Sequence, residues 1–193
     1  MGMVSRAESA ASTRRALLDS AAALLDEGGP EAVTLRDVGA RAGVSRGAPY
    51  GHFADKESLL AAVAAESWER LSDEIAAQRG TPAERLRGAL AALVMIGRHH
   101  PHRYRQMFGP PAGEEPGRMI RASCRTQEEF LAIVSELVGE RDLHRYGALL
   151  FTGVSGIIAA ELSGHFDTGT WRTSADELVD TLVAIIADGR IQA

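Results

Sequence analysis

Apolar residues recur along this chain at spacings of three and four, and no stretch sustains the two-residue alternation of a half-buried strand. From Thr13 onward, Ala16, Leu17, Ala21, Leu24 and Leu25 share one helical stripe. It should stop at Gly28-Gly29-Pro30, where glycine permits a left-handed exit and proline cannot extend the hydrogen-bond ladder. Thr34, with Asp37 three residues on, predicts the capped start of a short helix ending near Ala42-Gly43. Ser45 is placed to cap another short helix, and Asp55 a long one running to about Gly80. Thr81-Pro82-Ala83-Glu84 is a capping box with proline at the first helical position, and Ser174-Ala175-Asp176-Glu177 is a second box opening the last helix. Pro101 should break the helix before it, and the proline-rich stretch from Gly109 to Gly117 reads as a loop. Long helices are expected over about 117–138 and 142–163. The pattern predicts an all-α protein of about nine helices with no sheet. Composition changes after about Leu71, inside the long fourth helix, so the expected division is 11–71 and 72–193. A helix shared by two modules can transmit rotation from one to the other.

The bulk numbers alter this picture little. Apolar residues make up 45% of the 193 and the net charge is −5, normal for a globular protein and no advertisement of nucleic-acid binding. Only the window from Thr34 to Lys56 is locally basic, with Arg36, Arg41, Arg46 and Lys56 against Asp37 and Asp55. A single cysteine, Cys124, rules out an intramolecular disulfide and suits a reducing compartment. Residues 1–15 lack the apolar core of a signal peptide. The longest apolar stretch, Leu149 to Ala160, runs about twelve residues, short of the roughly twenty a membrane span needs. A cytoplasmic protein is expected, without a membrane partner.

Catalytic and metal chemistry find little support. Gly153-Val154-Ser155-Gly156-Ile157 half-matches a nucleophile elbow, but Ile157 stands where the second glycine is needed and no strand precedes it. His99, His100 and His102 lie close in sequence, yet neighbouring residues on a helix point about 100° apart and no acidic or sulfur cluster is near. No enzyme activity, metal or cofactor is expected.

The informative segment runs from Thr34 to Phe53. Leu35, Val38 and Ala42 occupy i, i+3 and i+7, one face of a two-turn helix. Gly43 can take the positive φ of a sharp inter-helix turn, and Val44 is apolar inside that turn. The next segment exposes Arg46, Gly47 and Ala48 in its first turn, the end that meets base edges in a helix-turn-helix. Pro49, still in that first turn, costs less there than it would deeper in a helix.

The run T-x(3)-V-x(3)-A-G-V-S-x-G-x-x-Y-x-H-F-x-x-K-E-x-L, from Thr34 to Leu59, resembles the DNA-binding signature of the TetR family of bacterial regulators. The likeness is close from about Ser12 to Leu71 and architectural beyond. It implies that Arg46 and its small neighbours face the major groove, and that Thr34, Tyr50, His52 and Lys56 contact phosphates. The full candidate DNA-binding set is Thr34, Arg36, Ser45, Arg46, Gly47, Ala48, Pro49, Tyr50, His52 and Lys56. The resemblance further implies a homodimer on a palindromic double-stranded operator, released by a ligand. A ligand-binding protein or activator of the same fold, without repressor activity, is the alternative reading.

After Tyr146 the penultimate helix carries one charge, Glu161, and apolar residues on every face. Such a helix must be buried all round, which a partner copy can provide. Gly153, Gly156 and Ala160 form a small-residue stripe permitting close approach, and the last helix is apolar on more than one face. The expected dimer interface is Gly153, Gly156, Ile157, Ala160, Leu178, Leu182 and Ile186. Met95, Tyr104, Met107, Phe108, Met119, Phe130 and Phe151 are the candidate lining of a pocket for a small apolar or amphipathic effector.

Overall fold

Capping chemistry sets several helix ends in the computed structural model, which describes residues 6–110 and 117–187. Among them are eight α-helices: α1 (Arg6–Gly28), α2 (Leu35–Arg41), α3 (Lys56–Ala77), α4 (Pro82–His99), α5 (Pro101–Met107), α6 (Gly117–Val138), α7 (Leu143–Leu162) and α8 (Ala175–Ala187). Two 3-10 turns, Pro30–Ala32 and Pro49–Gly51, complete the described elements, and no strand occurs among them. Thr34 Oγ1 accepts the Asp37 N–H at 3.1 Å and starts α2. Thr81 and Glu84 exchange both bonds of a capping box at the start of α4. Ser174 and Glu177 do the same for α8. Gly29 (φ 70°) and Gly43 (φ 67°) take the left-handed conformation where α1 and α2 end. Within the loop expected at Gly109–Gly117, positions 111–116 lie outside the described residues.

The expected third helix is a correction. Residues 46–48 form a turn and Pro49–Gly51 a 3-10 turn, so the helix-turn-helix closes on a segment shorter and tighter than an α-helix. The cause is Pro49. It has no N–H for the Ser45 carbonyl four residues back, so that carbonyl accepts from Ala48 instead, at 3.0 Å. The Ala48 and Pro49 carbonyls continue the tight pattern, accepting from Gly51 (3.1 Å) and His52 (3.0 Å).

The fold divides into two compact units. One comprises Met1–Ser67 with His102–Arg121, the other Trp68–Pro101 with Ala122–Ala193. The long helix expected to divide at Leu71 passes from one to the other between Ser67 and Trp68. α5 belongs with the N-terminal unit because His102 lies against Gly29 and Arg103 pairs with Asp26, its Nε donating at 2.8 Å. The first unit has a continuous core of Leu17, Leu18, Ala21, Leu25, Val33, Val38, Phe53, Leu59 and Val63. Truncating a fully buried leucine such as Leu17 typically costs about 2–5 kcal/mol. In the second unit α4, α7 and α8 pack on one another. A Cβ on Gly97 would stand 2.5 Å from Ile158 Cγ2, so α4 and α7 approach as closely as a missing side chain allows. Arg98 ties the three helices at one end, donating to Glu161 (2.8 Å) and Asp176 (3.1 Å). No described helix is long and apolar enough to cross a membrane.

Candidate nucleic-acid interface

The first unit presents its candidate residues on a buried scaffold. Leu35 and Val38 of α2 are 8% and 0% exposed, and Val44 packs against the same core from inside the turn. Arg41 and Glu27 form a bidentate pair, 2.7 and 2.6 Å, that fastens the end of α2 to α1. From this base Arg36, Ser45, Arg46 and Gly47 are exposed, with Ala48 half-buried beside them. Tyr50 is 60% exposed, an unusual state for an aromatic ring and one that suits a hydroxyl reaching for a phosphate. His52 and Lys56 are half-buried. Lys56 opens α3 behind Asp55, whose carboxylate takes the hydroxyl and the backbone N–H of Ser58 (N–H bond 2.7 Å); both bonds hold Asp55 below its ordinary value.

Two members of the candidate set also have structural work. Pro49 is buried, and its ring occupies the space a side chain on Gly39 would need: a Cβ there would lie 2.7 Å from Pro49 Cγ. It joins the exposed segment to α2 rather than facing out. Thr34 is exposed, but its hydroxyl donates to Asp37 Oδ2 at 2.6 Å while accepting from the Asp37 N–H, so its proton is committed to the cap.

The second unit contains an apolar cavity of about 40 Å³ lined by Trp68, Leu71 and Ile75 of α3, Ala89, Leu90 and Leu93 of α4, Thr126, Gln127 and Phe130 of α6, and Phe151 and Val154 of α7. That is room for about one or two waters. A neighbouring recess of about 200 Å³, with Leu131, His144, Gly147 and Ala148, shares Gln127, Phe130 and Phe151 with it, so the two phenyl rings stand between them. Thr126 is 4% exposed; its hydroxyl donates to the Trp68 carbonyl (3.0 Å), with the Ala122 carbonyl (2.9 Å) sharing the proton, and so binds α6 to α3.

Of the seven pocket residues expected from sequence, the structure brings Phe130 and Phe151 together here. Met107 and Met119 are buried in the other unit, where Phe108 also leans on Tyr104 with ring centroids 4.7 Å apart. Met95 is 46% exposed on α4, its sulfur accepting from Arg98. Trp68, Leu71 and Ile75 were missed, although their i, i+3, i+7 spacing marks one face of α3.

The expected interface residues divide similarly. Ile157 and Ile186 are 8% and 5% exposed, filling their own protomer's core, and Gly153 receives Leu182 of the same chain. Ala160, Leu178 and Leu182 are half-buried. Gly156 is exposed, and a Cβ there would meet nothing. It shares the outer face of α7 with Ala148, Leu149, Thr152 and Ala159, and Leu149 is 45% exposed.

A helix-turn-helix unit joined by a continuous helix to an all-helical body with an apolar cavity is the architecture of a class of DNA-binding regulators. Residues 17–63 match the family described as bacterial regulatory proteins, tetR family, and residues 86–186 match the tetracyclin repressor-like, C-terminal domain. The chain belongs to the TetR family, whose members are transcription regulators and not enzymes. It is similar to the HTH-type transcriptional repressor KstR of Mycolicibacterium smegmatis, 38% identical over 76 residues that cover 38% of this chain and 37% of that protein. It is 38% identical to the repressor KstR2 of Mycobacterium tuberculosis over 94 residues, 46% of each chain. The chain thus spans less than half the length of these curated relatives. Among solved structures, a protein of unknown function from Rhodococcus sp. RHA1 superposes with TM-score 0.78 at 25% identity, covering 92% of this chain and 94% of that one. The regulator FadR of Bacillus subtilis, solved with stearoyl-CoA, shares the fold with TM-score 0.64 at 15% identity, covering 91% and 98%.

Proposed function

We propose that this regulator is a ligand-released repressor that acts in the cytoplasm and binds a palindromic operator as a homodimer. The observation that carries the reading is the exposed row of Arg36, Ser45, Arg46, Gly47 and Tyr50 raised on helices whose inner faces share a buried core. Arg46, flanked by Gly47 and the small Ala48, can approach base edges closely, while Tyr50, His52 and Lys56 hold the backbone. The outer face of α7 supports dimerisation. From Gly147 to Ala160 it carries no charge, and its hydroxyls bond within the helix, Thr152 to the Ala148 carbonyl and Ser155 to the Phe151 carbonyl. A second copy can therefore cover this face without stranding a polar group.

The effector is a small apolar or amphipathic molecule bound where α3, α4, α6 and α7 meet. The cavity is too narrow for it as it stands, so binding must displace Phe130 or Phe151 and widen the space. Because Trp68, Leu71 and Ile75 sit on the helix that begins at Lys56, a ligand that favours the widened state biases α3. The test is selection of bound sites from random duplex DNA with the full-length protein. Enrichment of a two-half-site palindrome is expected. Recovery of no enriched sequence would remove the reading.

A further inference from the structure

We propose that the helix-turn-helix unit holds a second ligand site, a cleft that takes a small organic anion with an apolar body and whose occupancy opposes DNA binding through His52. The cleft has a volume of about 240 Å³ and lies between α1, the corner entering α3, and the first turn of α6. Its floor is apolar and buried: Phe53, Ala61 and Ala62 are 5%, 5% and 8% exposed. Its walls are basic, with Arg14 from α1, Arg118 from α6 and His52 from the corner, and no carboxylate among the described residues lines it.

Arg14 is the informative wall residue. Its neighbour Arg15 pairs with Asp19 and Glu66, whereas Arg14 has no carboxylate partner among the described residues and rests its guanidinium 5.2 Å from the Phe53 ring centroid. Two guanidiniums line one cleft from different helices, so an anion there can accept from both. The planar donor fork of arginine fits a carboxylate or phosphate. A DNA phosphodiester would use the walls and leave the apolar floor uncovered, whereas an anion carried on a ring or short alkyl body meets both. The size is close to that of small-molecule sites, about 300–1,000 Å³. His52 belongs both to this cleft and to the proposed DNA face, so a ligand drawing the imidazole inward withdraws it from the backbone. That competition rests on the proposed role of His52; binding of the anion does not.

The experiment titrates the full-length protein with phenyl phosphate and, separately, with inorganic phosphate, following the methyl signals of Ala61 and Ala62 by NMR and operator affinity by fluorescence anisotropy. Phenyl phosphate should bind saturably, shift both methyls and bind more tightly than inorganic phosphate. Arg14→Gln and Arg118→Gln should each weaken it about tenfold, with melting temperatures unchanged. Arg118→Lys, which keeps the charge and loses the fork, should fall between. Absence of saturable binding, equal affinity for the two phosphates, or wild-type affinity in both glutamine variants would overturn the site. So would loss of DNA affinity in those variants without any phenyl phosphate binding, since the cleft would then be a backbone contact. Saturable binding that leaves operator affinity untouched supports the site and removes the competition with DNA.

Discussion

Gly39 and Pro49 show how one contact decides what the surface can do. The Pro49 ring fills the space above Gly39, and this contact holds the exposed segment from Ser45 to Tyr50 against α2. Gly39→Ala gains up to about 1 kcal/mol of helix propensity, but its methyl meets a rigid ring at 2.7 Å rather than a flexible side-chain end. Overpacking of this kind costs about 1–3 kcal/mol, so the variant should melt lower and bind DNA more weakly. A melting temperature equal to or above wild type would show that the ring yields. Arg46 and Lys56 should separate by type of contact. Arg46→Ala is expected to relax preference at one base step by about 1–3 kcal/mol. Lys56→Ala should weaken binding to all duplexes alike and reduce the salt slope by about one. Lys56 is the sole lysine of the chain, so acetylation followed at that residue in the presence and absence of operator reads protection at one defined side-chain amine. Equal acetylation rates with and without operator would place Lys56 away from the DNA.

At the level of elements, helix ends and helix faces carry the argument. Asp55, Glu84 and Asp180 are each held below their ordinary values, by the hydroxyl and N–H of Ser58, by the Thr81 backbone N–H, and by Arg87 of α4 respectively. A carboxyl whose folded pKa lies below its unfolded one contributes its full stabilisation above the unfolded value and loses it as pH falls through the folded value. These groups should therefore leave the melting temperature flat from neutrality down to about pH 5 and lower it below about pH 4. Glu84→Gln, which can still bond the Thr81 N–H without titrating, should make the acid fall shallower; an unchanged slope would exclude the capping box as a contributor. On α7, Gly156 provides a clean test of association. Its Cβ would meet nothing within the protomer, so Gly156→Arg should leave the fold intact and convert a dimer to monomers by light scattering. A wild-type monomer at micromolar concentration, or an undisturbed dimer in the variant, would place the interface elsewhere.

For the whole molecule the central quantity is a coupling free energy. α3 carries Lys56 at its start and Trp68, Leu71 and Ile75 of the apolar cavity about three to five turns later, all on one continuous helix. A ligand that widens the cavity changes operator affinity only in so far as it binds one state of α3 more tightly than the other. Coupling of about 1–3 kcal/mol would lower affinity some five- to hundredfold, and the operator must lower ligand affinity by the same factor. Reciprocal titrations measure both factors. Trp68 lines the cavity and provides a fluorescence signal for the ligand arm. An effector that quenches Trp68 and leaves operator affinity unchanged would separate binding from regulation.

The sequence by itself determined where most helices begin and end, the segment after Ser45 excepted, because capping, prolines and left-handed glycines act within about four residues of one another. Thr34, Thr81, Ser174, Gly29 and Gly43 were all legible for that reason. It also determined the helix-turn-helix, whose turn and inner face are equally local. Tertiary structure decided what each apolar face meets. The small-residue stripe on α7 is divided: Gly153 receives Leu182 of its own chain while Gly156 is exposed, and α4 comes close to α7 at Gly97, which stands in no such stripe. Only Phe130 and Phe151 of the expected pocket line the cavity, and Pro49, read as part of the DNA face, is buried against Gly39. Periodicity states that a face will be covered. A core, a cavity wall and a subunit interface all draw on the same apolar side chains, so only the packing of distant segments determines which of them a given residue serves.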